Sequence, residues 1–245
     1  MRRYIRTAAP VITLALAAIG LEIRAQTPDD IAAGIVHARG GAVRIQGIQT
    51  ERMTGTVWIG DQQGSFIREV KRPGKMRMEI TLGGKTTIET YDGATGWKVD
   101  GIAGNGQPQE LSSAEKKILA EEADLDGPFV DFAGKGVRIE VLDKEMLGPS
   151  LVWKLKVTLK SGETEVYYVE STGCYILLRE STRPGAQGPT TYDTLYKDFR
   201  RVEGVLFPYT VVSSVNGGDP TMALRFGGIQ LNGAIDDADF GKPGK

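Results

Sequence analysis

Lys71-Arg-Pro-Gly-Lys-Met-Arg-Met-Glu-Ile-Thr-Leu-Gly-Gly-Lys-Thr-Thr-Ile-Glu-Thr-Tyr-Asp-Gly-Ala-Thr-Gly-Trp-Lys-Val-Asp-Gly101 is the stretch whose reading decides the fold. Met76, Met78, Ile80 and Leu82 alternate with Lys75, Arg77, Glu79 and Thr81, the period-two pattern of a strand with one buried face. Gly83-Gly84 then reverses the chain, because glycine enters positive φ at little steric cost. Lys85 to Tyr91 is extended and rich in β-branched residues, Asp92-Gly93 is a second turn, and Gly96-Trp97-Lys98-Val99 begins another strand. Upstream, Arg72-Pro73 stops the preceding strand from running into this one, since proline donates no ladder hydrogen bond. The stretch predicts an antiparallel meander.

The same grammar extends in both directions. Thr50 to Ile59 and Gly64 to Lys71 read as strands before the meander, with Met53, Gly55, Val57 and Ile59 on one face. In the second half, Trp153, Leu155, Val157 and Leu159 alternate with Lys154, Lys156, Thr158 and Lys160, the cleanest such pattern in the chain. Turn signals at Ser161-Gly162, from Pro184-Gly185 to Gly188-Pro189 and at Glu203-Gly204 separate further strands, the last being Met222 to Leu231. The expectation is a mainly β fold of about ten or eleven antiparallel strands with two or three helices. No internal repeat and no long linker divides residues 26–245, so one domain is expected.

Two helices have readable starts. Thr27-Pro28-Asp29-Asp30 supplies a capping hydroxyl, a proline in the first turn and acids at the positive dipole end, with Ile31, Ile35 and Ala38 on one side. Ser112 and Glu115 form a capping box ahead of an apolar stripe of Leu111, Ala114, Ile118 and Leu119. This second helix interrupts an otherwise β pattern. It either plugs a core or acts as a movable cover. Gly101 to Gln109 reads as loop, and Phe129 to Phe132 as one more helical turn.

Residues 1–25 read as a signal peptide: Arg2, Arg3 and Arg6, then the apolar run Val11 to Leu21, then Ile23-Arg24-Ala25 as the cleavage site. The run is too short to span a bilayer. No cysteine follows it, so a lipidated start is not expected; export as a soluble periplasmic protein is. Cleavage removes four arginines and one glutamate, a loss of three positive charges, which takes the formal net charge from −1 to −4. That balance offers no basic stripe for nucleic acid.

Catalytic chemistry is sparse. The only histidine, His37, has no readable partner, and with the lone Cys174 it makes no metal cluster. Cys174 reads as a small buried hydrophobe. No nucleophile elbow, phosphate loop or dinucleotide fingerprint occurs in its required context. Asp236, Asp237 and Asp239 lack the spacing of a calcium loop. Paired carboxylates brought together by folding would leave no sequence signature. The reading is a binding protein rather than an enzyme, with no catalytic residue, metal or cofactor assigned.

Arg72-Pro73, then Met76-Arg77, then Asp92-Gly93 and Trp97 resemble the periplasmic lipoprotein carriers of the LolA/LolB type. The tail from Ile229 to Pro243 is similar to the end of that superfamily. The resemblance implies an incomplete β-barrel covered by helices that holds acyl chains of lipoproteins or other lipids. It also implies a monomer that exchanges its load with membrane-bound donor and acceptor proteins. Facing the ligand would be Met76, Met78, Ile80, Trp97, Ile118, Leu119, Trp153, Leu155 and Val157. The carriers' latching arginine aligns with Arg77, yet Arg77 alternates out of the face that carries Met76, Met78 and Ile80. Related folds also serve as lipid or lipoprotein sensors, which is the alternative function.

Overall fold

A computed structural model of the chain describes residues 26–185 and 188–244; the signal-peptide expectation for residues 1–25 lies outside the described residues. Two helices come first, α1 (Pro28–Arg39) and α2 (Ala42–Gln46). Six strands follow: β1 (Thr50–Ile59), β2 (Gln62–Lys71), β3 (Lys75–Leu82), β4 (Lys85–Tyr91), β5 (Gly96–Asp100) and β6 (Pro108–Glu110). After α3 (Ser113–Glu122) come β7 (Arg138–Leu147), β8 (Ser150–Thr158), β9 (Thr164–Glu170), β10 (Ile176–Gly185), β11 (Gly188–Val202), β12 (Val205–Val215) and β13 (Pro220–Leu231). A 3-10 turn, Asp237–Phe240, closes the chain.

All thirteen strands belong to one antiparallel sheet in the order β6-β5-β4-β3-β2-β1-β13-β12-β11-β10-β9-β8-β7. Every neighbour is a consecutive strand except β1 and β13, which meet in the middle. The sheet is curved and does not close, leaving β6 and β7 as its edges, so it is an open half-barrel. The expected ten or eleven strands become thirteen partly because β6, inside the expected loop, pairs with β5. Pro108 is tolerated there because an edge strand has one side without ladder partners. Between Phe129 and Phe132 the chain forms turns rather than the expected helix, with Asp131 at φ 50°.

Register fixes what faces what. Val70 pairs with Met76, Phe66 with Ile80 and Gly64 with Leu82, and Met53, Val57, Phe66, Val70, Met76 and Leu82 fill one buried cluster. These side chains line the inner, concave face beneath α3, which contributes Leu119 and is followed by Ala123 and Leu125 in the same cluster. A second cluster on the other wing packs Leu155, Val157, Tyr167 and Val169 against Ile31 and Ile35 of α1 and against Phe129. The outer face of β2–β5 carries the row Glu69, Arg77, Thr90, Trp97, set side by side by the ladders. Over that row lies the C-terminal tail. Arg77 donates to the Asp239 carbonyl (3.0 Å), Thr90 to that of Gly241 (2.9 Å), Lys242 Nζ sits 4.6 Å from the Trp97 ring centre, and Phe240 is fully buried.

Both anticipated caps form. Thr27 and Asp30 make a reciprocal capping box on α1, as Ser112 and Glu115 do on α3. His37 is exposed. On α3 the buried stripe is narrower than its sequence suggests: Leu119 is buried, Ile118 is half-buried and Ala114 is exposed. Among the described residues no helix is long and apolar enough to cross a membrane.

Candidate functional site

The open seam between β6 and β7 is bridged by the chain itself. From β6 the chain enters α3, then runs through an irregular strap, residues 123–137, and re-enters the sheet as β7. This cover is fastened mainly by arginines. Arg68, on the inner face of β2, donates to Glu51 (2.5 Å) and to the Glu122 carbonyl at the end of α3 (2.7 Å). Arg39 of α1 holds the strap through the carbonyls of Leu125 and Asp126, each at 2.8 Å. Burial lowers the Arg39 pKa, while Glu51, Asp126 and Asp124 oppose that effect. Arg72 pairs with Asp126 and donates to the carbonyls of Ile48 (2.6 Å) and Ile45 (3.3 Å), tying the strap to α2.

On the opposite wing, α3 meets Arg183 of β10, which donates to Glu121 (3.0 Å) and Glu163 (2.9 Å). Lys117 also reaches Glu163 (2.8 Å). Burial pushes the Glu121 carboxyl up to about 7, and its hydrogen bond with Glu163 pushes the same way against Arg183. Glu163 is held low, first by that same hydrogen bond and then by Lys117 and Arg183. Of the two carboxyls, Glu121 is therefore the one that takes up a proton more readily.

Under the strap is a cavity of about 330 Å³, within the size range of small-molecule sites. Its walls come from α1 (Ile35, Val36), the strap (Leu125, Phe129, Val130), β1 (Met53), and the far wing (Tyr167, Ile176, Tyr196, Leu206, Phe207). Most of this lining is apolar; Arg39, Arg68 and Glu51 form its polar end. Cys174, half-buried, also lines it, and burial raises its thiol pKa.

The residues singled out from sequence divide into three groups. Met76, Met78, Ile80 and Leu119 sit together in the first cluster, with Ile118 beside Leu119 on α3. Trp153, Leu155 and Val157 lie in the second cluster. Trp97 and Arg77 are on the outer face under the tail. None of these ten lines the cavity. The arginine that reaches the cover from the sheet interior is Arg68, and its sequence signal is a charge set between Phe66 and Val70 on an otherwise apolar face. The strap's signal is Leu125, Phe129 and Val130, apolar residues within loop chemistry.

No protein-family model matches the chain, and no curated protein matches it. Solved structures do. A LolA superfamily protein from Nitrosomonas europaea is 14% identical, with a TM-score of 0.56 over 89% of this chain and 99% of that one. A domain named for outer membrane lipoprotein sorting, from Vibrio parahaemolyticus, is 12% identical, with a TM-score of 0.55 over 86% and 95%. A DUF1329 family protein from Desulfovibrio piger is 11% identical, with a TM-score of 0.55 over 88% and 98%. At these identities the likeness is one of fold: the chain has the half-barrel architecture of LolA superfamily and lipoprotein-sorting structures.

Proposed function

We propose that the protein is a periplasmic carrier that takes up acyl chains of a lipoprotein or another lipid under its helical cover and passes them towards the outer membrane. The observation that carries this reading is the apolar cavity beneath the strap, with Arg39 and Arg68 at its polar end tying the strap and α3 to α1 and β2. A chain in the cavity would touch Ile35, Met53, Phe129 and Phe207. With α3 lifted, Met76, Met78, Ile80 and Leu119 become accessible and extend the apolar floor. Each methylene transferred from water contributes about 0.8 kcal/mol, so a single long chain gives useful affinity without any catalytic group. Leu155 and Val157 then act as the packed base of α1, and Trp97 and Arg77 as anchors for the tail.

Displacement of a fluorescent fatty acid from the mature protein tests the reading, with saturation expected near one site per chain. A folded protein that binds no lipid and no acylated peptide would sink it. Transfer of the load between donor and acceptor vesicles is the expected outcome for a carrier. Binding without transfer, together with a stable complex with a membrane regulator, would instead make it a sensor.

A further inference from the structure

Beside the cavity, and sharing Asp124, Gly127, Pro128 and Tyr167 with it, is a more open groove of about 640 Å³ between α3, the strap, the β8–β9 turn and the inner face of β9 and β10, lined by the acids Glu121, Asp124 and Glu165 as well as by basic side chains. Arg179 lines that groove. Its Nε is buried with no hydrogen-bond partner. The carboxylate paired with it, that of Glu165, stands 3.7 Å from Nη1, beyond hydrogen-bond reach. Glu165 instead accepts the Tyr167 hydroxyl at 2.6 Å. Four residues along the same strand, Arg183 donates to both Glu121 and Glu163. Two arginines on one strand thus differ: Arg183 makes two charge-assisted hydrogen bonds, whereas Arg179 makes none among the described residues and faces Glu165 only at ion-pair distance.

Leaving a buried donor unmade is costly, and the planar guanidinium fork matches a carboxylate or phosphate held by two parallel hydrogen bonds. A quarter of the Arg179 side-chain surface stays open. At the rim, Lys117 and Lys135 are paired with Glu163 and Asp124, whereas Lys160 is exposed and has no ion-pair partner among the described residues. A chain lodged in the cavity would leave its head group near Tyr167 and Pro128, at the boundary the two spaces share.

We propose that this groove binds the anionic head, a carboxylate or phosphate, of the amphiphile whose chain enters the cavity, with Arg179 as its principal donor. The proposal rests on the acyl-chain reading and assigns it a substrate class: acidic rather than neutral lipids.

Calorimetric titration of the protein with dodecanoate, dodecyl phosphate and dodecanol at pH 8 tests it, since the three share one chain. At least one anion should bind about tenfold or more tightly than dodecanol, the size of one strong charge-assisted contact. Whichever anion leads tells a fatty-acid head from a phosphate head. Arg179→Gln should bring the three ligands level while leaving dodecanol affinity unchanged. Arg179→Lys, which keeps the charge but loses the fork, should retain only part of the preference and serves if the Gln variant does not fold. Equal affinities in the wild type, or a preference that survives intact in Arg179→Lys, would overturn the proposal while leaving the carrier reading standing. If none of the three binds, the carrier reading falls and this proposal falls with it.

Discussion

Leu119→Ala separates a movable cover from a core plug. Leu119 is the one buried side chain of α3 itself, 5% exposed, and it reaches into the cluster that holds Met76 and Val70. Burying a leucine contributes about 1.5–3 kcal/mol, and the cavity left on truncation raises the cost of Leu→Ala towards about 2–5 kcal/mol. Besides it, α3 has Ile118 and Ala120 half-buried and a few polar ties, Arg68 to the Glu122 carbonyl, Arg183 to Glu121 and Lys117 to Glu163. The helix should therefore open locally before the sheet does. At about 2–3 kcal/mol, amides of α3 should exchange roughly 30- to 150-fold faster with deuterium, each factor of ten being about 1.4 kcal/mol. Amides of β8, where Val152, Leu155 and Val157 are fully buried, should keep their protection. Mass-resolved hydrogen exchange reads both segments in one experiment. Joint loss of protection in α3 and β8 would make the helix part of the global core; unchanged α3 exchange would mean that Leu119 does not hold it.

Two further outcomes follow from other contacts. The raised Glu121 carboxyl binds its proton more tightly when α3 is docked, so docking is strongest below the ordinary glutamate value of 4.5 and weakens as pH climbs through about 7. Opening of α3, corrected for intrinsic exchange, should thus be greater at pH 8 than at pH 5.5, and Glu121→Gln should flatten the difference; equal opening at both pH values in the wild type counts against the assignment. Phe240→Ala should cost about 3–5 kcal/mol, because the ring is fully buried by the tail against the outer face. That loss should appear as a lower thermal midpoint, whereas no change would show the tail to be dispensable.

Strands were legible because one face of each is covered and the period-two signal survives, most plainly at Trp153 to Leu159. Caps were legible because their chemistry is local: Thr27 with Asp30, Ser112 with Glu115. The cavity was not. Its walls come from α1, the strap and strands of both wings, β1 and β2 on one side and β9 to β12 on the other, and the strap has no period to read. Arg68 and Arg179 are single charges on inner faces, and nothing local tells a satisfied arginine from an unsatisfied one; that distinction appears only when Glu51 is found beside the first and no acceptor within reach of the second. Ala114 shows the converse error: helical spacing placed it in the stripe, but its side chain is exposed.

The meeting of β1 with β13 also sets how the chain can assemble. Of the twelve ladders in the sheet, eleven join consecutive strands, each closed by a connection that forms locally. The twelfth joins residues separated by 163 positions (Ile59 with Met222) to 180 positions (Glu51 with Leu231). Closing so large a loop adds only slowly to the entropic cost as length grows, but contacts this distant in sequence slow the search. The two wings, β1–β6 and β7–β13, can therefore zip up as separate hairpin arrays, and the central ladder stitches them last. Its register shifts between Thr54 and Gly55, opposite Gly227 and Gly228, and Met53, Val57, Leu224 and Phe226 on either side of the shift are buried in the first cluster. The latest step in folding then lies at the spine from which both wings spread.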